Sequence, residues 1–280
     1  MMSTSKRSTR RVLALAAVAL VLFPQPFLSC DAETAGEAIH FKTAVQGIVA
    51  DGDAVAKFET SKGWRVDLET AQALIGPVYY YGGAPMVRRH RPVFGAGVAM
   101  ACPTHAQYDF GTVLGEVPMQ YVVDLLAETP TSTGKVAGEK GACRSAELHI
   151  HPPGDQQLET GSPAEAIDSL DGYAIRLSGT ATKDETSMPF SAMLNIPDEG
   201  TMRIIQNIEG DVDVDDTAEK QGRIVLKIRV DAWFAQVDFA SLTETDDDGV
   251  YLFSEDTQAR TALLQAVRNR YSYRVAWSKK

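Results

Sequence analysis

From Ile39 onward the chain alternates. Ile39, Phe41, Thr43 and Val45 occupy every second position, and Trp64-Arg-Val-Asp-Leu repeats the pattern, continuing through Ala71, Ala73 and Ile75 to Gly76-Pro77. Successive side chains of a strand point to opposite sides, so a period of two marks a strand with one buried face. Val78 to Tyr81 is a short β-prone run closed by Gly82-Gly83. Alternation returns at Tyr121, Val123 and Leu125, in 143–151 and 173–181, and in runs at 189–196, 202–208, 224–230 and 271–277. Segments 127–141 and 152–170 read as turn and loop, and the run 202–208 is expected to pair with 224–230. One segment has a helical pattern instead: Ser254 as cap, Glu255 and Asp256 in the first turn, and an apolar stripe at Ala259, Ala262, Leu263, Ala266 and Val267. Many short strands and a single helix near 254–269 predict an all-β domain over 39–280. The expected form is an antiparallel β-sandwich, with a barrel as the alternative.

The first 29 residues follow another logic. Lys6, Arg7, Arg10 and Arg11 precede the apolar run Val12 to Phe23, which Pro24 and Pro26 break. Twelve apolar residues are too few to span a bilayer and match the apolar region of a secretory signal peptide. The segment ends Phe27-Leu28-Ser29-Cys30, which resembles the lipobox of bacterial lipoproteins. The resemblance implies cleavage before Cys30, lipidation of that cysteine, and an acidic tether over 30–38 leading to the folded domain. The implied location is the cell envelope, with the protein anchored to a membrane by its lipid and facing the periplasm or exterior. The competing reading is cleavage near Ala32 or Ala35, which would release a soluble exported protein.

Charge narrows the partners. The whole chain carries 27 basic and 37 acidic residues, a net charge of −10. Loss of residues 1–29 removes four positive charges and no negative one, leaving −14. A domain this acidic repels nucleic acid and anionic lipid, both polyanions, so neither is an expected partner. A protein partner is not identifiable from these residues.

Candidate chemistry concentrates in Gly141 to His151. On a strand, Leu148 and Ile150 point one way and Glu147, His149 and His151 the other, with the two histidines about 7 Å apart along the backbone. Cys102 and Cys143 form an even pair once Cys30 is lipidated, and in an oxidising compartment the expectation is a disulfide. That bridge would bring the loop bearing His105 toward the histidine strand. His149, His151 and His105, with Glu147 near by, form a donor set suited to Zn²⁺ or Cu²⁺. The spacing departs from known His-x-His patterns: Gly141 and Glu159 are misplaced for a cupin, and no histidine follows His151.

Other signals are weaker. Asp211-Val-Asp-Val-Asp-Asp216 lacks the glycine and terminal glutamate of a calcium loop, and Asp246-Asp-Asp-Gly249 reads as an acidic turn. No serine-nucleophile, zinc-protease or phosphate-loop motif is present, so the balance leans against an enzyme without deciding it. The leading expectation is a cell-envelope lipoprotein that binds Zn or Cu through strand histidines. A structural or partner-binding lipoprotein without metal is the alternative. A metal-dependent hydrolase with Glu147 as base is a third.

Overall fold

The computed structural model describes residues 38–50, 55–84, 112–155, 158–215 and 222–279. Cys30, Cys102, His105 and residues 1–29, read above as a signal peptide, lie outside these residues.

Fourteen strands dominate. They are β1 (Ala38–Ile48), β2 (Lys57–Glu59), β3 (Arg65–Ile75), β4 (Val78–Tyr81), β5 (Val113–Val117), β6 (Tyr121–Asp124) and β7 (Thr131–Glu139). They continue as β8 (Gly141–His149), β9 (Ile175–Lys183), β10 (Thr186–Leu194), β11 (Ile204–Val214), β12 (Gly222–Arg229), β13 (Tyr251–Leu252) and β14 (Tyr273–Lys279). Three short helices interrupt them: α1 (Ala164–Asp168), α2 (Val230–Phe234) and α3 (Gln258–Val267).

The architecture is all-β, but it is not an antiparallel sandwich. Eight strands close a mixed barrel in the order β1, β12, β14, β11, β8, β4, β5, β7, and β7 pairs back onto β1. A second sheet runs β13, β10, β9, β3, β2, with β6 also on β3. Pairs β1/β12, β11/β14 and β10/β13 are parallel. Alternation shows that a strand has a buried face, but it carries no information about the direction or identity of its neighbour. The expected pairing of 202–208 with 224–230 fails for this reason: the C-terminal strand β14 inserts between β11 and β12.

Gly115 and Gly138 face each other across β5 and β7. A Cβ at Gly115 would meet the Phe41 ring at 2.5 Å, and one at Gly138 would meet Leu114 O at 2.1 Å and Phe41 at 2.6 Å. The two glycines therefore make room for Phe41, which is fully buried and packs edge-on against Tyr80 at 6.2 Å. Side chains thus fill the barrel interior. A second packing centre gathers Trp64, Phe190, Phe234, Phe239 and Phe253, with ring centroids 5.0–6.2 Å apart.

The C-terminal helix is shorter than 254–269. Its cap is Thr257, whose hydroxyl accepts from Arg260 N at 3.2 Å, while the Ser254 hydroxyl turns to Glu244. Ala259, Ala262, Leu263 and Val267 are buried as the stripe requires. The turn-like segment 127–141 contains β7, whose interior Gly134 adopts φ +98°.

Candidate functional site

β8 lies between β11 and β4 and delivers the candidate residues. Its far end is clamped on both sides. His149 N donates to Pro77 O at 2.9 Å, its carbonyl accepts from Gly76 N at 3.0 Å, and Ile150 N donates to Arg203 O at 2.9 Å. Leu148 and Ile150 are fully buried, as the alternation predicts. The opposite set is also drawn inward: Glu147 and His151 are buried and His149 is half-buried. His151 lies two residues past the end of β8, so only His149 of the pair sits on the strand itself.

Each imidazole has a carboxylate partner. His149 Nε2 lies 2.8 Å from Glu147 Oε1, and Gln206 Nε2 donates to Glu147 Oε2 at 3.1 Å. The Tyr79 ring stands 5.6 Å from His149, because the β4/β8 register sets Tyr79 opposite Glu147. His151 Nδ1 lies 3.1 Å from Asp155 Oδ2, and Arg203 binds that same oxygen. Arg203 also donates from Nε to Ile196 O at 2.8 Å and approaches Asp198 at 3.7 Å. Gln120 Nε2 donates to the His151 carbonyl at 3.2 Å.

The two rings are 5.7 Å apart between centroids and inclined by 40°. His151 is 2% exposed, and its Nε2 has no hydrogen-bond partner among the described residues. A buried imidazole nitrogen without a partner is costly and rarely left so. Burial chiefly holds the His151 pKa below its ordinary value; the hydrogen bond to Asp155 opposes this, and His149 and Arg203 reinforce it. Neutral imidazole, the metal-binding form, is thereby favoured at His151.

Among the described residues, no three His, Cys, Asp or Glu side chains converge on a metal position. Glu147 is placed to orient His149 through a hydrogen bond, rather than standing free as a ligand or base. The bridge between Cys102 and Cys143 is not seen. Cys143 is a buried free thiol whose Sγ lies 3.6 Å from Ser145 O, and Cys102 and His105 lie outside the described residues. Burial, tempered by a hydrogen bond to the Tyr81 backbone and by Arg144, pushes the Cys143 thiol up to about 12.

The sequence reading missed Asp155, Arg203 and Gln206. Asp155 stands four residues after His151, a visible spacing, but Arg203 and Gln206 arrive from β11 and the turn before it. The acidic segments resolve as structure. Asp211 and Asp213 pair with Arg144, and Asp246 Oδ1 accepts from the backbone of Asp248 and Val250.

No family model, no curated protein and no solved structure matches this chain.

Proposed function

We propose that the protein is a lipid-anchored lipoprotein of the cell envelope that holds a transition-metal ion, Zn²⁺ or Cu²⁺, through His149 and His151. The observation carrying this reading is the buried His151 Nε2, which has no hydrogen-bond partner among the described residues and sits on a ring 5.7 Å from that of His149. Two imidazoles bound to one ion, with metal–nitrogen distances of about 2 Å, place their ring centres roughly 5–6 Å apart. Glu147 and Asp155 then act behind the ligands, each fixing a tautomer and ring orientation through the nitrogen turned away from the metal. Water completes the coordination, with His105 as a further donor. The anchor is the lipid on Cys30, following the lipobox-like ending of the leader.

The test is metal content of the protein purified from membranes, followed by Zn²⁺ and Cu²⁺ titration. One equivalent is expected, with loss of uptake in His149→Ala and in His151→Ala. Absence of uptake by the native chain sinks the reading. Metabolic labelling with palmitate, lost in Cys30→Ser, tests the anchor.

A second reading, a partner-binding lipoprotein without metal, draws on the same cluster. Both histidines already meet carboxylates, and no third ligand converges on them among the described residues. In that case the cluster pins the end of β8, and both variants lose stability while no metal is taken up.

A further inference from the structure

The chain is acidic overall, yet one concave site is basic. A cavity of about 270 Å³ is lined by Asn207, Glu209, Arg229, Arg270, Tyr271 and Arg274, among others. The insertion of β14 between β11 and β12 creates it. The β12/β14 register sets Lys227 beside Arg274, and the β11/β14 register sets Glu209 on its other side. Arg229 closes β12, and Arg270 opens a single 3₁₀ turn, Arg270–Ser272, in which the Asn269 side chain accepts from Tyr271 N at 3.1 Å.

The cations in this cavity are only partly neutralised. Arg229 is held by Asp231, with contacts of 2.6 and 3.3 Å. Arg270 lies over the Tyr271 ring at 4.8 Å and donates to its hydroxyl at 2.8 Å, so no carboxylate offsets its charge. The Arg274 side chain makes no hydrogen bond or ion pair among the described residues, although Glu209 is its strand neighbour. Arg229, Arg270 and Arg274 line the cavity beside one lining carboxylate, Glu209, a local surplus of positive charge among the lining side chains. Tyr271, 69% exposed, is the exposed large hydrophobic side chain among the described residues. Concave walls of low dielectric focus such a surplus, and guanidinium forks match tetrahedral oxyanions bidentately.

We propose that this cavity binds a phosphate monoester. Arg270 and Arg274 grip the phosphoryl oxygens, their two positive charges facing the two negative charges of the ester, and the Tyr271 ring lies against the organic portion. Neither the metal reading nor the anchor is involved. The same headgroup chemistry occurs in a free ester and in a phosphatidic acid, so the test uses both.

The full chain in neutral detergent is titrated calorimetrically with phenyl phosphate and, separately, with monomeric dihexanoyl phosphatidic acid. Saturable binding of at least one is expected, and the tighter identifies the source. Affinity falls at least about tenfold in Arg270→Ala and in Arg274→Ala, as loss of charge-assisted hydrogen bonds implies. It falls less in Arg274→Lys, and it is unchanged in Lys57→Ala on the second sheet. Binding of neither probe by the native chain overturns the proposal. So does binding that persists unchanged in both arginine-to-alanine variants.

Discussion

The apolar interior and the polar end of β8 are held together by opposite means. Around Phe239, four aromatic neighbours pack with no directional requirement: Trp64 at 5.5 Å, Phe190 at 5.0 Å, Phe234 at 6.2 Å and Phe253 at 5.9 Å. Each ring there has several partners, so stability scales with area and fit. At the end of β8 each group leans on one or two partners: His149 on Glu147, His151 on Asp155, Asp155 on Arg203. Removing one member leaves a desolvated polar group behind. Both regions leave a buried nitrogen without a hydrogen-bond partner among the described residues, Trp233 Nε1 in the interior and His151 Nε2 at the polar end. They differ in chemistry: an indole N–H can only donate, whereas a neutral imidazole nitrogen can bind a metal ion. That difference is why function is sought at the polar end.

The comparison can be broken in several places. The largest expected effect is kinetic and lies in the interior. With its pKa near 12, Cys143 holds a thiolate fraction on the order of 10⁻⁴ at pH 8. In a Cys30→Ser, Cys102→Ser chain it should therefore resist a disulfide reagent until denaturant is added. Rapid native labelling would show that this stretch of β8 opens. Next comes Phe239→Ala, expected to cost about 3–5 kcal/mol in urea unfolding because the ring is fully enclosed. A loss below 1 kcal/mol would mean that the cluster closes over the gap.

Asp155→Ala should cost less, about 1–3 kcal/mol, since it strips one acceptor from both His151 and Arg203. If the change is neutral, the polar end contributes nothing to stability. A pH effect follows from the same region. The unfolded His151 titrates near 6.5, and the folded residue titrates below that. Its contribution is therefore fully present above about pH 6.5 and is lost as pH falls through that value toward the depressed folded pKa. Urea midpoints of metal-free protein at pH 7.5 and 5.5 should drop by less in His151→Phe than in the native chain. Smallest is Lys57→Ala, which removes a 2.8 Å ion pair to Asp67 between well-exposed side chains. A loss under about 1 kcal/mol is expected from thermal or urea unfolding, vanishing at high salt.

Much of the secondary structure was legible, for a local reason. Val66, Leu68, Ala71, Ala73 and Ile75 are buried along β3 and Leu148 and Ile150 beside β8, where the alternation places them. β7 was harder. Its run Thr131-Ser-Thr-Gly-Lys carries turn residues, and only pairing with β1 on one side and β5 on the other makes it a strand. The candidate site was legible in part. Glu147 and His149 share a face because they are two residues apart, but burial of Glu147 needs Gln206 and Tyr79 from the flanking strands. Arg203 meets Asp155 from 48 residues away, a distance no spacing rule spans. The cavity of Arg229, Arg270 and Arg274 was invisible in one dimension: Arg270 and Arg274 stand close together in a segment without acidic residues, but Arg229 joins them only through the pairing of β12 with β14.

The sequence by itself determined that this is a β protein, where its half-buried strands and terminal helix lie, and that its first thirty residues resemble the leader of a lipoprotein. Each of these depends on the order of side chains within a dozen residues. Only the tertiary structure decided that eight strands close into a mixed barrel and that β14 separates β11 from β12. The same closure leaves His151 Nε2 buried without a partner among the described residues and gathers three arginines around one cavity. Side-chain alternation states which face is buried but not what it is buried against, and strand partners are selected by packing across the whole chain.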